Sequence, residues 1–244
     1  MKYIVLVCDG MSDYPLKELG DRTPLEAART PNMDFIARHG SLGRVKTIPN
    51  GFVPGSDVAQ MSIFGYDPKD YYTGRGPLEA ANLGVELDEN DIAFRCNLIT
   101  ASGETLRDYS AGHISSKEAG ILIKFIDQNL GTERIKFYPG ISYRHLMVIK
   151  RGAEEGLHKT ECRPPHDVTG QDILKNFPKG EGSELLITLM QESRKILEKH
   201  EINLVRLDLK ENPANMIWLW GQGKRPDMDK FKDKYGVEGS VISA

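Results

Sequence analysis

The chain has 244 residues, 39% of them hydrophobic and 27% charged, which is enough for one large domain or two small ones. Its formal net charge is -3 and it has no basic cluster, which argues against a nucleic-acid surface. Its 3 isolated cysteines form neither a disulfide framework nor a metal knuckle, and no stretch approaches the ~20 apolar residues of a membrane span. The composition therefore predicts a soluble cytoplasmic protein.

The first third of the chain is predicted to alternate between strands and helices. The β-branched, apolar segment YIVLV (3–7) is typical of a strand buried on both faces, as in a parallel sheet covered by helices. TPNMDFIARHG (30–40) predicts a helix, and LGRVKTI (42–48) predicts a second strand. A loop rich in glycine and proline then leads to Ser56, at the start of another stretch with helical spacing.

The remaining predicted elements fall into two groups. Between residues 92 and 182, strands are predicted at IAFRCNLIT and YRHLMVIK, a helix at SKEAGILIKFIDQNL and a loop at RPPHDVTG. After residue 182, the predictions are an amphipathic helix at ELLITLMQESRKILEKH, a buried strand at NMIWLW, a short helix at DMDKFKDKYG and a last strand at GSVIS.

This order of elements predicts an α/β fold with three segments. A layered sheet with helices on both faces is expected from residues 1–91 and 183–244, and a smaller α+β domain from 92–182 is inserted into it. The chain stops at VISA, at the carboxyl end of a predicted core strand, where open α/β sheets usually carry their site. We therefore expect the core to be incomplete; the alternative is a protein that ends on an edge strand.

Asp9 lies where the first predicted strand ends, in VLVCDGMSD, and Gly10 allows the chain to turn there. A carboxylate at the carboxyl edge of a sheet suits a metal or phosphate site. It also suits the cap of a turn, and the position alone does not decide between these interpretations. The segment contains neither the G-x-G-x-x-G pattern of dinucleotide sites nor the Asp-x-Asp pair of haloacid dehalogenase-type phosphatases.

Ser56 has two interpretations. Serine is a favoured helix N-cap, worth ~1 kcal/mol, and Asp57 in the first turn complements the helix dipole. The same position suits a phosphoserine, because its phosphoryl group would meet the exposed N–H groups of the helix. The helix contributes only ~1–2 kcal/mol, too little to make a hydroxyl nucleophilic, so a reactive Ser56 requires metal ions.

Several segments resemble one known family. CDGMSD (8–13), TPLEAARTPNMDFIARHG (23–40) and above all PGSDVAQMSIFGYDP (54–68) with GRGPLEA (74–80) resemble the archaeal-type cofactor-independent phosphoglycerate mutases, of the alkaline phosphatase superfamily. The resemblance covers the whole chain. It favours Ser56 as a nucleophile, a role that does not exclude capping.

The resemblance implies a metal-binding α/β phosphatase domain interrupted by a smaller domain, with two Mn²⁺ or Mg²⁺ ions in the cleft. Asp9 matches a metal ligand of the family, and Ser56 matches the nucleophile, which also binds metal. The serine would take the phosphoryl group from 3-phosphoglycerate and return it to the 2-hydroxyl, a step of glycolysis and gluconeogenesis. The implied partner is this small molecule, and the sequence does not indicate an oligomeric state.

Charged side chains are needed to hold the phosphoglycerate. The substrate-binding candidates are Asp108, His113, Arg144, His166, Asp167, Lys224 and Arg225. Each also fits a solvated charge or a loop cap. Arg144 is the strongest candidate, because it begins a predicted strand and an arginine can grip a carboxylate bidentately.

Two departures from the family pattern bear on function. An arginine often stands at the position of His113, and another lies near Trp220, so the exact substrate is less defined than the phosphoserine chemistry. The remaining Asp and His metal ligands are expected after VISA, where no H-x-x-D or D-x-x-G-H stretch follows. We therefore expect the 244 residues alone to be inactive, and robust turnover by them would contradict this.

Two other functions remain open. One is another phosphomutase, or a phosphoester or phosphonate hydrolase, of the same superfamily. The other is a non-catalytic binding protein, which is favoured if the gene ends at Ala244.

Overall fold

The computed structural model describes residues 2–242. The chain divides into two compact units, residues 1–70 and residues 71–244. The organisation into segments 1–91, 92–182 and 183–244 stays a prediction. Within residues 2–242, every helix falls short of the length or the apolarity that a membrane-crossing helix needs.

The first unit consists of short helices joined by irregular segments. Its helices are α1 (Pro24–Ala27), α2 (Pro31–His39), α3 (Ser56–Ile63) and the start of α4 (Pro68–Tyr71), with one 3₁₀ turn at Lys17–Leu19. Helix α2 confirms the helix predicted over residues 30–40, and α3 confirms the helical spacing after Ser56.

The strands predicted at residues 3–7 and 42–48 are wrong for the described structure, which contains no strand in this unit among residues 2–70. Tyr3, Ile4 and Leu6 are 76%, 92% and 82% exposed. A strand forms through hydrogen bonds to a neighbouring strand, and β-propensity without such pairing is insufficient. Residues 239–242 of the predicted strand GSVIS are also irregular, and Ser243 lies outside the described residues.

The second unit is built on a five-stranded sheet. Its strands are β1 (Ile92–Ser102), β2 (Thr105–Asp108), β3 (Ile135–Ile141), β4 (Arg144–Ile149) and β5 (Met216–Gly223). The order is β2-β1-β4-β3, and β5 pairs with β1. Every pairing is antiparallel, so β5, which was predicted as a strand of the layered core sheet, lies in an antiparallel sheet with β1 instead. The mixed α/β composition is confirmed.

Helices cover this sheet. They are α5 (Arg75–Asn82), α6 (Ser116–Leu130) and α7 (Ser183–Leu197). The unit also contains α8 (Glu201–Asp208) and the short α9 (Phe231–Tyr235). Helix α6 packs on β3 and α7 packs on β5. The pairing of β5 with β1 was not anticipated from the sequence, which placed these two segments in different domains.

The alternation of β1 separates a core from a polar face. Phe94, Cys96 and Leu98 are fully buried in the core that includes apolar residues of α6 and α7. Arg95 and Asn97 alternate with them, so they point to the opposite face. Cross-strand partners share a face, which places Trp220 beside Arg95 and Arg144 beside Asn97. The sheet therefore carries charged and aromatic side chains on one face.

Helix α5 approaches this second face closely. A Cβ on Gly76 would collide with the backbone carbonyl of Ala93 in β1, so only glycine fits there. The close packing of α5 against the sheet brings Arg75, its first residue, to Trp220.

The cap of α6 has a measurable expected effect. The Ser115 hydroxyl accepts a hydrogen bond from the Glu118 N–H at 3.2 Å. We expect Ser115→Ala to lower the free energy of unfolding by ~1 kcal/mol in urea titrations. Ser183→Ala is the matched control: Ser183 begins α7 but makes no cap bond, because Gly182 takes the cap position. Equal losses in the two variants would contradict the assignment.

Candidate active site

The first unit brings Asp9 and Ser56 together. The Ser56 hydroxyl donates a hydrogen bond to Oδ2 of Asp9 at 3.0 Å, across 47 residues of sequence. Asp9 lies in a turn where Gly10 has a φ of +73°, a conformation that glycine adopts without strain. The serine and the carboxylate are both exposed, so both are accessible to a ligand.

The capping interpretation of Ser56 is wrong. Helix α3 begins at Ser56, and Gly55 occupies the N-cap position with φ -165° and ψ 146°. The helix has no side-chain cap hydrogen bond. An N-cap side chain must turn back to accept from the N–H groups of the first turn, whereas the Ser56 hydroxyl points to Asp9.

Asp9 and Ser56 line a pocket of about 250 Å³ in the first unit. Thr47 and Gln60 add polar groups to its wall. A carboxylate and a hydroxyl are the oxygen ligands that Mg²⁺ and Mn²⁺ prefer. Asp9 and Ser56 offer two such oxygens, and no group of three His, Cys, Asp or Glu side chains suited to a metal occurs among residues 2–242.

The second unit has a cluster of cations around Trp220. The guanidinium carbons of Arg75 and Arg95 lie 5.2 and 5.6 Å from the centroid of the indole ring. The His166 ring lies 5.4 Å from the same indole in an edge-on arrangement. The indole N–H donates to Oδ1 of Asn97 at 3.0 Å, which fixes the ring orientation.

Two tyrosines extend this group, which we call the Trp220 cluster and define as Arg75, Arg95, Tyr109, His113, Tyr143, Arg144, His166 and Trp220. Tyr109 contacts both His166 and Tyr143, at 6.1 and 5.7 Å between ring centroids. Tyr143 also contacts His113 at 6.2 Å and lies 5.9 Å from the guanidinium carbon of Arg144. The cluster thus joins side chains from α5, β1, β4, β5, the loop after β2, the turn between β3 and β4, and the 3₁₀ turn Pro165–Val168.

The cations of the cluster influence one another. Burial lowers the pKa of Arg95, Glu79 opposes this, and the positive charges of Arg144 and Arg75 lower it further. Glu79 pairs with Arg95 at 2.8 Å. Arg75, Arg95 and Arg144 therefore lie near enough to one another for their positive charges to interact, which suits the binding of an anion.

Asp108 has a structural role in the second unit. Its Oδ1 accepts hydrogen bonds from the N–H and hydroxyl of Ser110, and its Oδ2 accepts from the Gly112 N–H and the Asn212 side chain, all at 2.7–2.8 Å. Burial acts to raise the pKa of Asp108, but these hydrogen bonds outweigh it and hold the pKa below its ordinary value of 3.8.

This lowered pKa predicts an acid-dependent loss of stability. The ionised Asp108 stabilises the fold fully above its ordinary pKa and ceases to do so as the pH falls through its lower folded value. We expect the free energy of unfolding to fall less between about pH 5 and pH 2 in Asp108→Asn than in the wild type. Asp208→Asn, at an exposed position of α8, should retain the wild-type slope. Equal slopes in all three proteins would contradict the prediction.

The other candidates lie at or beyond the edge of the cluster. An Asp167 carboxylate oxygen is 3.8 Å from Nε2 of His166. Lys224 accepts a hydrogen bond from Thr73 through its backbone carbonyl, and Arg225 donates to the Leu87 carbonyl at 3.5 Å. In the part of the chain that the structure describes, no ion pair or ring contact joins Lys224 or Arg225 to the cluster.

Comparison with known proteins decides the family. A family model for 2,3-bisphosphoglycerate-independent phosphoglycerate mutase matches residues 37–203. The chain belongs to this family. The resemblance noted from the sequence is therefore confirmed.

A 2,3-bisphosphoglycerate-independent phosphoglycerate mutase of Methanosarcina mazei is 56% identical to this chain over 246 residues. A relative in Methanothermobacter thermautotrophicus, named 2,3-bisphosphoglycerate-independent phosphoglycerate mutase 2, is 50% identical over 245 residues. A probable mutase of Geobacter sulfurreducens is 54% identical over 248 residues. Each comparison covers 100% of this chain but only 60–61% of the relative. The chain thus spans about three fifths of the length of these curated relatives.

Two solved structures share the fold. The PH0037 protein from Pyrococcus horikoshii is 31% identical with a TM-score of 0.65, over 93% of this chain and 53% of that one. A cofactor-independent phosphoglycerate mutase from Thermoplasma acidophilum is 28% identical with a TM-score of 0.55, over 96% of this chain and 62% of that one.

Arg75, Arg95, Tyr109 and Tyr143 were not among the candidates predicted from the sequence of this phosphoglycerate mutase family member. A signal for Arg95 was available: it is the one charged residue in the buried strand IAFRCNLIT, where an arginine needs a partner or a function. Arg75 lies in the GRGPLEA motif that carried the resemblance. The two tyrosines have no comparable signal, because their role depends on ring contacts between loops.

Proposed function

We propose that the protein containing this chain interconverts 3-phosphoglycerate and 2-phosphoglycerate through a phosphoserine at Ser56. The observation that carries the proposal is the 3.0 Å hydrogen bond from the Ser56 hydroxyl to Asp9, in a chain that belongs to the mutase family. Two residues 47 positions apart meet at an exposed pocket, where a nucleophile and a metal ligand of this family would need to meet.

The hydrogen bond orients the hydroxyl for attack. Its hydrogen points to Asp9, so the oxygen lone pairs remain available for the phosphorus. In the first transfer, the Ser56 hydroxyl loses its proton and its oxygen bonds to phosphorus, the bond from phosphorus to the 3-oxygen breaks, and that oxygen takes up a proton. In the second transfer, the 2-hydroxyl loses its proton and attacks the phosphoserine, the bond from phosphorus to the Ser56 oxygen breaks, and the serine takes up a proton again. The position of Ser56 at the start of α3 favours the negative charge of the phosphoserine.

Divalent metal ions are part of this proposal. Asp9 and Ser56 would supply two of the about six oxygens that a Mg²⁺ or Mn²⁺ ion takes. Such an ion, when bound, stabilises charge on phosphoryl oxygens and lowers the pKa of a coordinated hydroxyl. These two side chains would therefore account for only part of the coordination shell of such an ion.

We assign the Trp220 cluster to binding the phosphoglycerate anion. Arg144 is exposed, so its fork is accessible to a carboxylate or a phosphate. Arg75 and Arg95 lie against the indole ring, so the motion of their side chains is already restricted. Binding a ligand would therefore cost them less conformational entropy. Asp108 is better explained as a residue that shapes the neighbouring turn than as one that touches the ligand.

The broader expectations also belong to this proposal. They comprise the alkaline phosphatase-like layering, the inserted domain at 92–182, the cytoplasmic location and the inactivity of the 244 residues alone.

The test is an assay of the full-length gene product with 3-phosphoglycerate and Mn²⁺, followed by ³¹P NMR. Formation of 2-phosphoglycerate supports the proposal, and release of inorganic phosphate without it indicates a hydrolase instead. Activity that is unchanged after exhaustive chelation would contradict the metal part of the proposal. The same assay on residues 1–244 alone tests whether they are inactive.

A further inference from the structure

The segment 109–113, which we call the 109–113 loop, has an unusual backbone. Three consecutive residues, Ala111, Gly112 and His113, have positive φ values of 49°, 67° and 52°. Two of the three are not glycine, and residues with a side chain adopt this conformation uncommonly, so surrounding contacts are needed to stabilise it in two of them at once. Tyr109 and His113, at the two ends of the loop, are both members of the Trp220 cluster.

Two side chains hold this backbone: the Asp108 carboxylate accepts hydrogen bonds from Ser110 and Gly112, and Arg206 of α8 binds Ala111 between them. The Arg206 side chain is 5% exposed, and its Nη2 donates to the Ala111 carbonyl at 3.0 Å. Its Nε donates to the Asn212 carbonyl at 2.9 Å, and Asn212 in turn donates to Asp108 at the start of the loop. A Cβ on Gly112 would lie 3.2 Å from the Asn212 Cβ and 3.3 Å from Nη2 of Arg206, so the loop packs tightly against both.

The positive charge of Arg206 is paired with carboxylates that do not belong to the Trp220 cluster. Its Nη1 lies 3.2 Å from carboxylate oxygens of both Glu118 and Glu211. Burial acts to raise the pKa of Glu118, but hydrogen bonds from Ser115 and the charge of Arg206 outweigh it and lower the pKa. The planar guanidinium thus connects α6, the 109–113 loop and the segment after α8 at once, which a lysine cannot do.

We propose that Arg206 is a positioning residue: it holds the 109–113 loop in its left-handed conformation, so that Tyr109 and His113 complete the phosphoglycerate-binding cluster. Arg206 acts through the loop and does not touch the ligand. The proposal rests on the function assigned above to the Trp220 cluster. The far end of the loop is held separately, because the Ser142 hydroxyl donates to the Ile114 carbonyl at 2.8 Å.

The experiment compares Arg206→Lys with the double variant Arg206→Lys/Ala111→Gly in the full-length gene product. Arg194→Lys is the matched control, because Arg194 also binds a carboxylate, Glu198, and a carbonyl, that of Gly103, but lies in α7. The first measurement is the ¹H–¹³C NMR signal of the His113 ring in the protein without ligand. This signal is assigned to His113 because it is absent from the spectrum of His113→Gln. The second is the affinity for 3-phosphoglycerate.

We expect Arg206→Lys to move the His113 signal and to weaken binding on the order of 10–100-fold, because displaced binding groups lose their alignment. Ala111→Gly should restore both, since glycine adopts a positive φ without enforcement. A general loss of structure would not be rescued by removing a methyl group. Arg194→Lys should change neither measurement.

An unmoved His113 signal in folded Arg206→Lys, or no rescue by Ala111→Gly, would overturn the proposal. If Arg206→Lys fails to fold, the variant to test is Gly112→Ala, which retains Arg206. Its added methyl group would crowd the contact between the loop and Arg206, so it must also move the His113 signal. The signal requires no ligand. A wild-type protein without affinity for 3-phosphoglycerate would therefore overturn the proposed function, while the NMR result would still test the positioning role.

Discussion

Ser56→Ala in the full-length gene product should reduce phosphoglycerate interconversion by at least ~10³-fold, because it removes the hydroxyl that we propose as the acceptor of the phosphoryl group. The fold should remain intact. Ser56 makes no cap bond, and its hydroxyl is exposed, so the free energy of unfolding should change by less than ~0.5 kcal/mol rather than by the ~1 kcal/mol of a lost cap. Coupled assay of 2-phosphoglycerate formation and thermal unfolding give the two readouts.

Ser62→Ala is the matched control for this prediction. Ser62 lies in the same helix, and its hydroxyl donates to the Val58 carbonyl at 3.3 Å within that helix. This variant should retain turnover. Wild-type turnover in folded Ser56→Ala would remove Ser56 from the mechanism, and equal losses in both variants would indicate a structural effect of α3.

Arg144→Met should weaken phosphoglycerate binding and raise KM by about 10–100-fold, with little effect on stability. Arg144 is exposed at the start of β4, so its charge is not needed for the core. Methionine retains most of the side-chain volume but removes the guanidinium fork. Arg144→Lys should recover only part of the affinity, because an ammonium group is a point charge that cannot bind a carboxylate bidentately.

The control for this prediction is Arg151→Met. Arg151 is also exposed and lies two residues beyond β4, but its guanidinium binds Glu154. Steady-state kinetics of both variants should show the KM effect only in Arg144→Met. The same KM in Arg144→Met and the wild type would exclude Arg144 from the binding site.

Elements with a strong local pattern were predicted correctly from the sequence. Helix α6 and strand β1 fall where their apolar residues indicate, because α6 has one apolar face that is buried and β1 is buried along nearly its whole length. The strand predicted at residues 3–7 failed for the opposite reason. Its apolar side chains are typical of a buried strand, but pairing partners decide whether a strand forms, and a local segment does not contain that information.

The candidate site divides in the same way. Asp9, Ser56 and the family could be inferred from short motifs, because those residues stand in contiguous segments with distinctive composition. Their hydrogen bond could not be inferred, nor could the absence of a cap at Ser56, because both depend on the backbone geometry at Gly55. Arg144, His113 and His166 were selected individually, whereas their common neighbours, Trp220 and Tyr143, emerged only from the packing.

By itself, the sequence determined the family of this protein, most of its helices, and the two residues that we propose for phosphoryl transfer and metal binding. These depend on local composition and motif spacing. Only the tertiary structure decided the antiparallel sheet, the Trp220 cluster and the contact between Arg206 and the 109–113 loop. Each of these joins segments that are distant along the chain, and their energies arise from cross-strand pairing and buried charge, which no local window of sequence contains.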